Sequence, residues 1–286
     1  MKSIKYFFQF IIIINFFLLF KVIGLKFATK ISSTLVKFFG PLFRSKKIIE
    51  NNLLRAIPDL TKKQIKTITN NMWKNYGKIL AEYIFIKNFR TTNLKNQIYV
   101  EGQEILEKIK KDMEPVIFVS GHFNNFELMA MHIESSGIEL AAVYRPLNNK
   151  FLNYIMEKIR RKYICKNQVK KGISGTKQLL SFFKKNTSIA LMIDQRVSEG
   201  IKSNFFNQKA YTTTIPAQFA KKFNCKVVPI YIERQKNFSF KLTVYDPIKY
   251  KNEDSIDSMT LQLNVIIEKM ILKNPDQWIW SHNRWK

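Results

Sequence analysis

The apolar positions of this chain follow two regimes. Residues 6–20 are almost wholly apolar, and Val22, Ile23 and Leu25 extend the run past a single Lys21. Counted to Leu25 it holds about 20 residues, or roughly 30 Å of helix, enough to span a hydrocarbon core. Beyond it, short apolar runs alternate with longer amphipathic stretches. Residues 47–87 read as helical, interrupted at Pro58-Asp59, with Thr61 and Gln64 spaced as a capping box where the second half begins. Strands are predicted at 116–120, 139–144, 189–193 and 226–232. Helices are predicted at 125–135 (ended by Gly137), 151–163, 176–184 and 216–223. Residues 238–245 alternate like a hairpin partner of the strand before them, and an amphipathic helix over 256–272 precedes an aromatic tail. A loop rich in polar and aromatic residues separates Gln195 from the helix near Pro216. This alternation predicts an α/β fold, a mostly parallel central sheet flanked by helices, behind one N-terminal transmembrane helix. Two parts are expected: an anchor with a basic juxtamembrane segment (1–45), and an α/β domain (46–286).

Charge narrows the partners. Forty-eight basic residues against 21 acidic ones give a net charge of +27. Such a surface attracts nucleic acid, an acidic protein or an anionic membrane, although codon bias toward Lys, Asn, Ile and Phe also contributes. The apolar N-terminal run argues against nucleic acid, and no nucleic-acid reading module is recognisable. Lys26, Lys30, Lys37 and Arg44 follow that run, whereas Lys2 and Lys5 precede it. The positive-inside rule then puts the body on the cytoplasmic side of a single crossing. Two cysteines, Cys165 and Cys225, form neither a disulfide framework nor a zinc-ligand pair. No Gly-rich phosphate loop and no serine nucleophile elbow occurs, and no metal or cofactor is implied.

The most informative segment is Ser120-Gly121-His122-Phe123-Asn124-Asn125-Phe126-Glu127. Five residues on one helix amount to about 500°, so His122 and Glu127 would point roughly 140° apart. They converge only if His122 lies in the strand-to-helix turn while Glu127 lies in the first helical turn. That position, at the carboxyl end of a strand, is where open α/β sheets place ligand sites. The pair offers a general base oriented by an acid. A structural reading stands beside it, in which Asn124 and Glu127 form a capping box. Of the other histidines, His132 shares the predicted helix with Met129, Met131 and Ile133 and reads as a core or edge residue. His122, Arg145 and Asp194 all fall at predicted strand ends, a convergence stronger than any one of them, although a turn cap (Asp194) and a surface charge (Arg145) are the plain alternatives.

In order and spacing these pieces resemble the lipid A late acyltransferases, the lauroyl and myristoyl transferases of lipopolysaccharide assembly. The resemblance is carried by Ser120-Gly121-His122-Phe123 with Glu127, Tyr144-Arg145-Pro146-Leu147 and Met192-Ile193-Asp194-Gln195. Phe205-Phe206-Asn207, Ala210, Thr212 and Pro216-Ala217 match as well, as does the tail from Pro275 to Lys286. Two departures stand out: Asn124-Asn125-Phe126 where the family commonly has Gly-Asn-Trp, and Asn283 where it often has Arg. The resemblance implies a glycerolipid-acyltransferase-like fold at the bacterial inner membrane. It also implies transfer of an acyl chain from acyl carrier protein to a hydroxyl of a lipid A precursor, giving an acyloxyacyl ester. His122 would be the base and Glu127 the group holding its imidazole. Arg145 and one of Arg160 or Arg161 would bind acceptor phosphates or the oxyanion, and Asp194 would shape the substrate site. Acyl carrier protein, the precursor and the inner leaflet are all anionic, which gives the basic surface a use. Two other readings remain: the same chemistry on a different glycolipid, aminolipid or phospholipid, and a non-catalytic membrane-tethered basic binding protein.

Overall fold

A computed structural model describes residues 2–286. Four helices come first: α1 (Lys2–Phe43), α2 (Lys46–Ala56), α3 (Lys62–Ile84) and α4 (Ile86–Thr91). The body then alternates through β1 (Ile98–Glu101), α5 (Gln103–Asp112), β2 (Ile117–Ser120), α6 (Glu127–Ser135), β3 (Leu140–Tyr144), α7 (Lys150–Tyr163) and β4 (Asn167–Lys170). It continues with α8 (Ile173–Phe183), β5 (Ser188–Met192), β6 (Ile201–Phe205), β7 (Gln208–Thr212) and α9 (Ile215–Phe223). The last elements are β8 (Val227–Arg234), β9 (Phe240–Val244) and α10 (Ile256–Lys273). Seven strands form one sheet in the order β1-β9-β8-β2-β5-β3-β4, parallel except at the β8–β9 pairing, so the sheet is mostly parallel. β6 and β7 pair separately as an antiparallel hairpin.

β2 sits at the centre, with β5 on one side and β8 on the other. All four of its residues are buried, as the continuous apolar run of a strand covered on both faces requires. The C-terminal ends of β2, β5 and β3 therefore open at one edge, where crossovers diverge to both sides of β2. The Thr61–Gln64 capping box forms as its spacing predicts. The hairpin expectation also holds: β9 runs antiparallel to β8. Five elements lay outside the sequence reading. β1, α5 and β4 are short and mixed in polarity, and the polar-aromatic loop after Gln195 contains the β6–β7 hairpin.

α1 is the one helix among the described residues long and apolar enough to cross a membrane. Gly24 interrupts it with φ 79° and ψ 165°, a conformation open to glycine but strained for any side chain. After this bend the helix packs closely on α3. A Cβ on Gly77 would fall on the backbone of Ser32 and Ser33, and one on Gly40 would enter the Trp73 ring.

The aromatic tail is interior. Trp278, Trp280 and Arg284 are among the largest fully buried side chains. Arg284 donates to the Tyr211 carbonyl (2.6 Å) and to Thr212 Oγ1 (2.7 Å), and lies over the Phe205 ring. Burial pushes its pKa down to about 10. His282 accepts from the Arg196 amide through Nε2 (3.1 Å), and Asn52 of α2 donates to the carbonyls of Trp280 and His282.

Two predictions follow from this packing. Gly77→Ala adds about 1 kcal/mol of helix propensity, but the clash is with backbone. The net effect expected is a loss of roughly 1–3 kcal/mol, read as a lowered unfolding midpoint. Burial lowers the His282 pKa to about 4 from 6.5. A base depressed on folding contributes stability that is complete above its unfolded value and is lost as pH falls through the folded one. Thermal stability should therefore decline from pH 6.5 toward pH 4, and His282→Gln should flatten that part of the profile.

Candidate active site

The turn between β2 and α6 is fixed at three points. Asn124 takes a left-handed φ of 48°, which Asn tolerates better than other side chains bearing a Cβ. Its amide N–H donates to the Gln277 carbonyl (3.0 Å), and its side chain donates to Gln277 Oε1. Asn125 Nδ2 donates to Glu82 of α3 (3.2 Å), a buried carboxylate also held by both terminal guanidinium nitrogens of Arg234. The third point is His122. Its backbone N–H donates to Asp194 Oδ2 (2.9 Å) and its Nδ1 lies 2.7 Å from Asp194 Oδ1.

Asp194 follows β5 and is completely buried. It accepts a third hydrogen bond from the indole of Trp278 (2.8 Å). Burial alone would raise its pKa. The imidazole and the three donated hydrogen bonds more than offset this and hold it at about 2. An ionised Asp194 places the proton of a neutral His122 on Nδ1, leaving Nε2 as the free base. Next to Nε2, at 3.5 Å, stands the side-chain amide of Gln195, which lines the same cleft. Beside a lone-pair nitrogen the amide presents its NH2 rather than its oxygen.

Here the structure corrects the sequence expectation. Glu127 does not hold the imidazole; Asp194 does. Glu127 instead accepts from Arg160 Nε (2.8 Å) and from a second guanidinium nitrogen of the same residue. Its side chain is therefore engaged away from the backbone of Asn124, and the capping-box alternative does not form. Asp194 itself has no exposed surface and does not line the cleft; it meets the cleft through the imidazole that it bonds. Of the two adjacent arginines, Arg160 enters the cleft and Arg161 is exposed. Burial opposes the charge of Arg160, but Glu127 and nearby tyrosines outweigh it and raise its pKa above the ordinary value. Arg145 is exposed at the cleft mouth. His132 bonds Gln103 Oε1 (3.0 Å) on the far side of α6 and takes no part.

The cleft encloses about 860 Å³ and has two chemistries, within the range of ligand sites. Its floor is made of small and apolar groups. Ala142 of β3 is in register with Ala190 of β5 on one side and with Gln168 of β4 on the other, while Ala130 and Phe126 line it from α6. Two alanines side by side leave room above the sheet for a narrow apolar chain. Its mouth is cationic: Arg44, Arg145, Lys171, Arg196 and Lys286 join Arg160. Gln195, Arg196, Lys171 and the tail residues Ser281 to Asn283 were not singled out in sequence as lining the site. Their only signal was position directly after a strand or in the tail. Among the described residues no cluster of His, Cys, Asp or Glu could hold a metal.

The chain is 24% identical over 260 residues to a lipid A biosynthesis acyltransferase of Haemophilus influenzae, covering 87% of this chain and 82% of that one. It is 22% identical to the lipid A biosynthesis myristoyltransferase of Escherichia coli (89% and 80% covered) and 21% identical to the palmitoleoyltransferase of the same organism (86% and 80%). The family model for bacterial lipid A biosynthesis acyltransferases matches residues 1–286, so the chain belongs to that family of membrane-associated acyltransferases.

Proposed function

We propose that this enzyme transfers a fatty acyl chain from acyl carrier protein to a hydroxyl of a lipid A precursor, forming an acyloxyacyl ester. The carrying observation is His122: its Nδ1 is tied to an ionised Asp194 while its Nε2 faces a cleft with an apolar floor and a cationic mouth.

The acyl chain lies over Ala142 and Ala190, which brings its thioester carbonyl to the strand ends. The acceptor hydroxyl replaces the Gln195 amide at Nε2. His122 takes the hydroxyl proton as the oxygen attacks the carbonyl carbon, and Asp194 stabilises the imidazolium. The freed Gln195 amide is placed to donate to the oxyanion of the tetrahedral intermediate. Collapse breaks the carbon–sulfur bond, and the departing thiolate takes the proton back from Nε2. Oxygen, sulfur and proton balance, with no covalent enzyme intermediate. Glu127 sets the guanidinium of Arg160, and Arg160 with Arg145 receives acceptor phosphates. The basic surface suits an acidic carrier protein, an anionic leaflet and a phosphorylated lipid, and favours each more at low salt.

The direct test offers detergent-solubilised protein acyl carrier protein loaded with chains of several lengths. A Kdo-bearing lipid A precursor and a plain phospholipid serve as competing acceptors, and products are read by mass spectrometry. The expected result is one acyl group added to the precursor, lost in His122→Ala. Asp194→Asn should reduce kcat by roughly 10²–10⁴-fold with a smaller change in KM. Acylation of the phospholipid instead would overturn the acceptor. Binding of acyl carrier protein without transfer to either acceptor would support a tether over an enzyme.

A further inference from the structure

The first half of α1 has the length of a membrane crossing but not the setting of one. Tyr6, Gln9, Phe10, Ile13, Ile14 and Phe17 are half-buried and Phe20 is buried. Their spacing of three and four makes a single stripe along the helix, turned toward the protein. The first turns are fixed to the start of α7. Asn149, itself buried, donates through Nδ2 to the Tyr6 carbonyl (2.8 Å) while its Oδ1 caps α7. The rings of Phe7 and Phe10 stand 5.8 and 5.7 Å from that of Phe151. At the other end Phe20 joins the core, and beyond Gly24 the helix is seated on α3. Both ends of this segment thus touch one body. A helix crossing a bilayer has its far end about 30 Å from the face where that body rests. Asn149 and Phe151 cannot occupy that far face, because four residues earlier the chain is Arg145 at the mouth of the cleft.

The outward faces of both halves are apolar and have no partner among the described residues. Before the bend, Ile4, Phe8, Ile12, Leu19 and Val22 are each more than half exposed. After it, Phe27, Ile31, Leu35, Phe38 and Leu42 repeat at intervals of four, four, three and four. Lys21, Lys26, Lys30 and Lys37 are spaced among them, on stems long enough to bring their charges to headgroups. An exposed apolar stripe of this length flanked by lysines fits the hydrocarbon edge of one anionic leaflet.

We propose that α1 is a monotopic platform: bent at Gly24 and clamped to α7 and α3, it lies along a single leaflet and leaves the amino terminus on the same side as the body. This replaces the single crossing that length and hydropathy suggest. The end of the helix brings Phe43, and Arg44 just after it, to the rim of the cleft. On the acyl-transfer reading above, a lipid acceptor then reaches His122 without leaving its leaflet. The topology itself does not depend on that reading.

The test uses the full chain in a Cys165→Ala, Cys225→Ser background, with single cysteines at Ser3→Cys or Lys111→Cys. Both positions are exposed, and Lys111 lies on α5 of the body. Chains are reconstituted in floated vesicles of phosphatidylethanolamine and phosphatidylglycerol and treated with a membrane-impermeant maleimide, before and after detergent. Vesicles in which Lys111→Cys is fully labelled without detergent should label Ser3→Cys to the same plateau. Protection of Ser3→Cys until detergent is added, or a plateau well below that of Lys111→Cys, would establish a crossing and overturn the proposal. A chain that fails to float with vesicles would overturn it as well. None of these readouts involves acyl transfer, so its failure and the failure of the enzymatic reading are distinguishable.

Discussion

One buried carboxylate organises this molecule. Asp194 leaves β5 without solvent contact and accepts from the backbone and imidazole of His122, at the end of β2, and from the indole of Trp278, in the C-terminal tail. An ionised group with no water has to find its hydrogen bonds in the protein. Here those bonds close the chain's last residues over its central strands. The demand that burial makes on Asp194 is thus what orients the His122 imidazole, and removing any donor exposes the others to rearrangement. The Gln277 side chain, which bonds both Asn124 and the Arg234 amide, repeats the pattern one residue earlier.

The layout of the sheet was legible in sequence because fully buried strands such as 117–120 are short apolar runs between amphipathic helices. β1 and β4 were not, since edge strands with alternating or polar faces resemble loops until a neighbour pairs with them. The hairpin after Gln195 is stabilised by α10 and the tail, through bonds such as Asn264 to the Asn204 carbonyl and Trp285 to the Phe205 carbonyl. Neither partner is near it in sequence.

At the candidate site, spacing drew attention to His122 and strand-end position to Arg145 and Asp194, and the structure places the first two on the cleft and the third behind His122. What spacing misassigned was the partnership. His122 and Glu127 are close in sequence, which made a dyad between them plausible. The helix begins so that Glu127 turns toward α7 and meets Arg160, 33 residues away, while the imidazole turns back across the strand to Asp194, 72 residues away. Tertiary pairing at such distances has no local signature. The tryptophans carried a weak one: a polar N–H on a large apolar body usually finds an acceptor when buried, as Trp278 and Trp280 do here and Trp73 does not.

The claim that Asp194, rather than Glu127, sets the tautomer of His122 is open to direct measurement. With only three histidines in the chain, histidine-selective ¹⁵N labelling gives a spectrum assignable by substitution. The account predicts that wild-type His122 carries its proton on a strongly hydrogen-bonded Nδ1. Glu127→Gln should preserve that signature and Asp194→Asn should abolish it. Loss of the signature in Glu127→Gln with its survival in Asp194→Asn would contradict the account and restore the sequence-adjacent pair as the catalytic dyad.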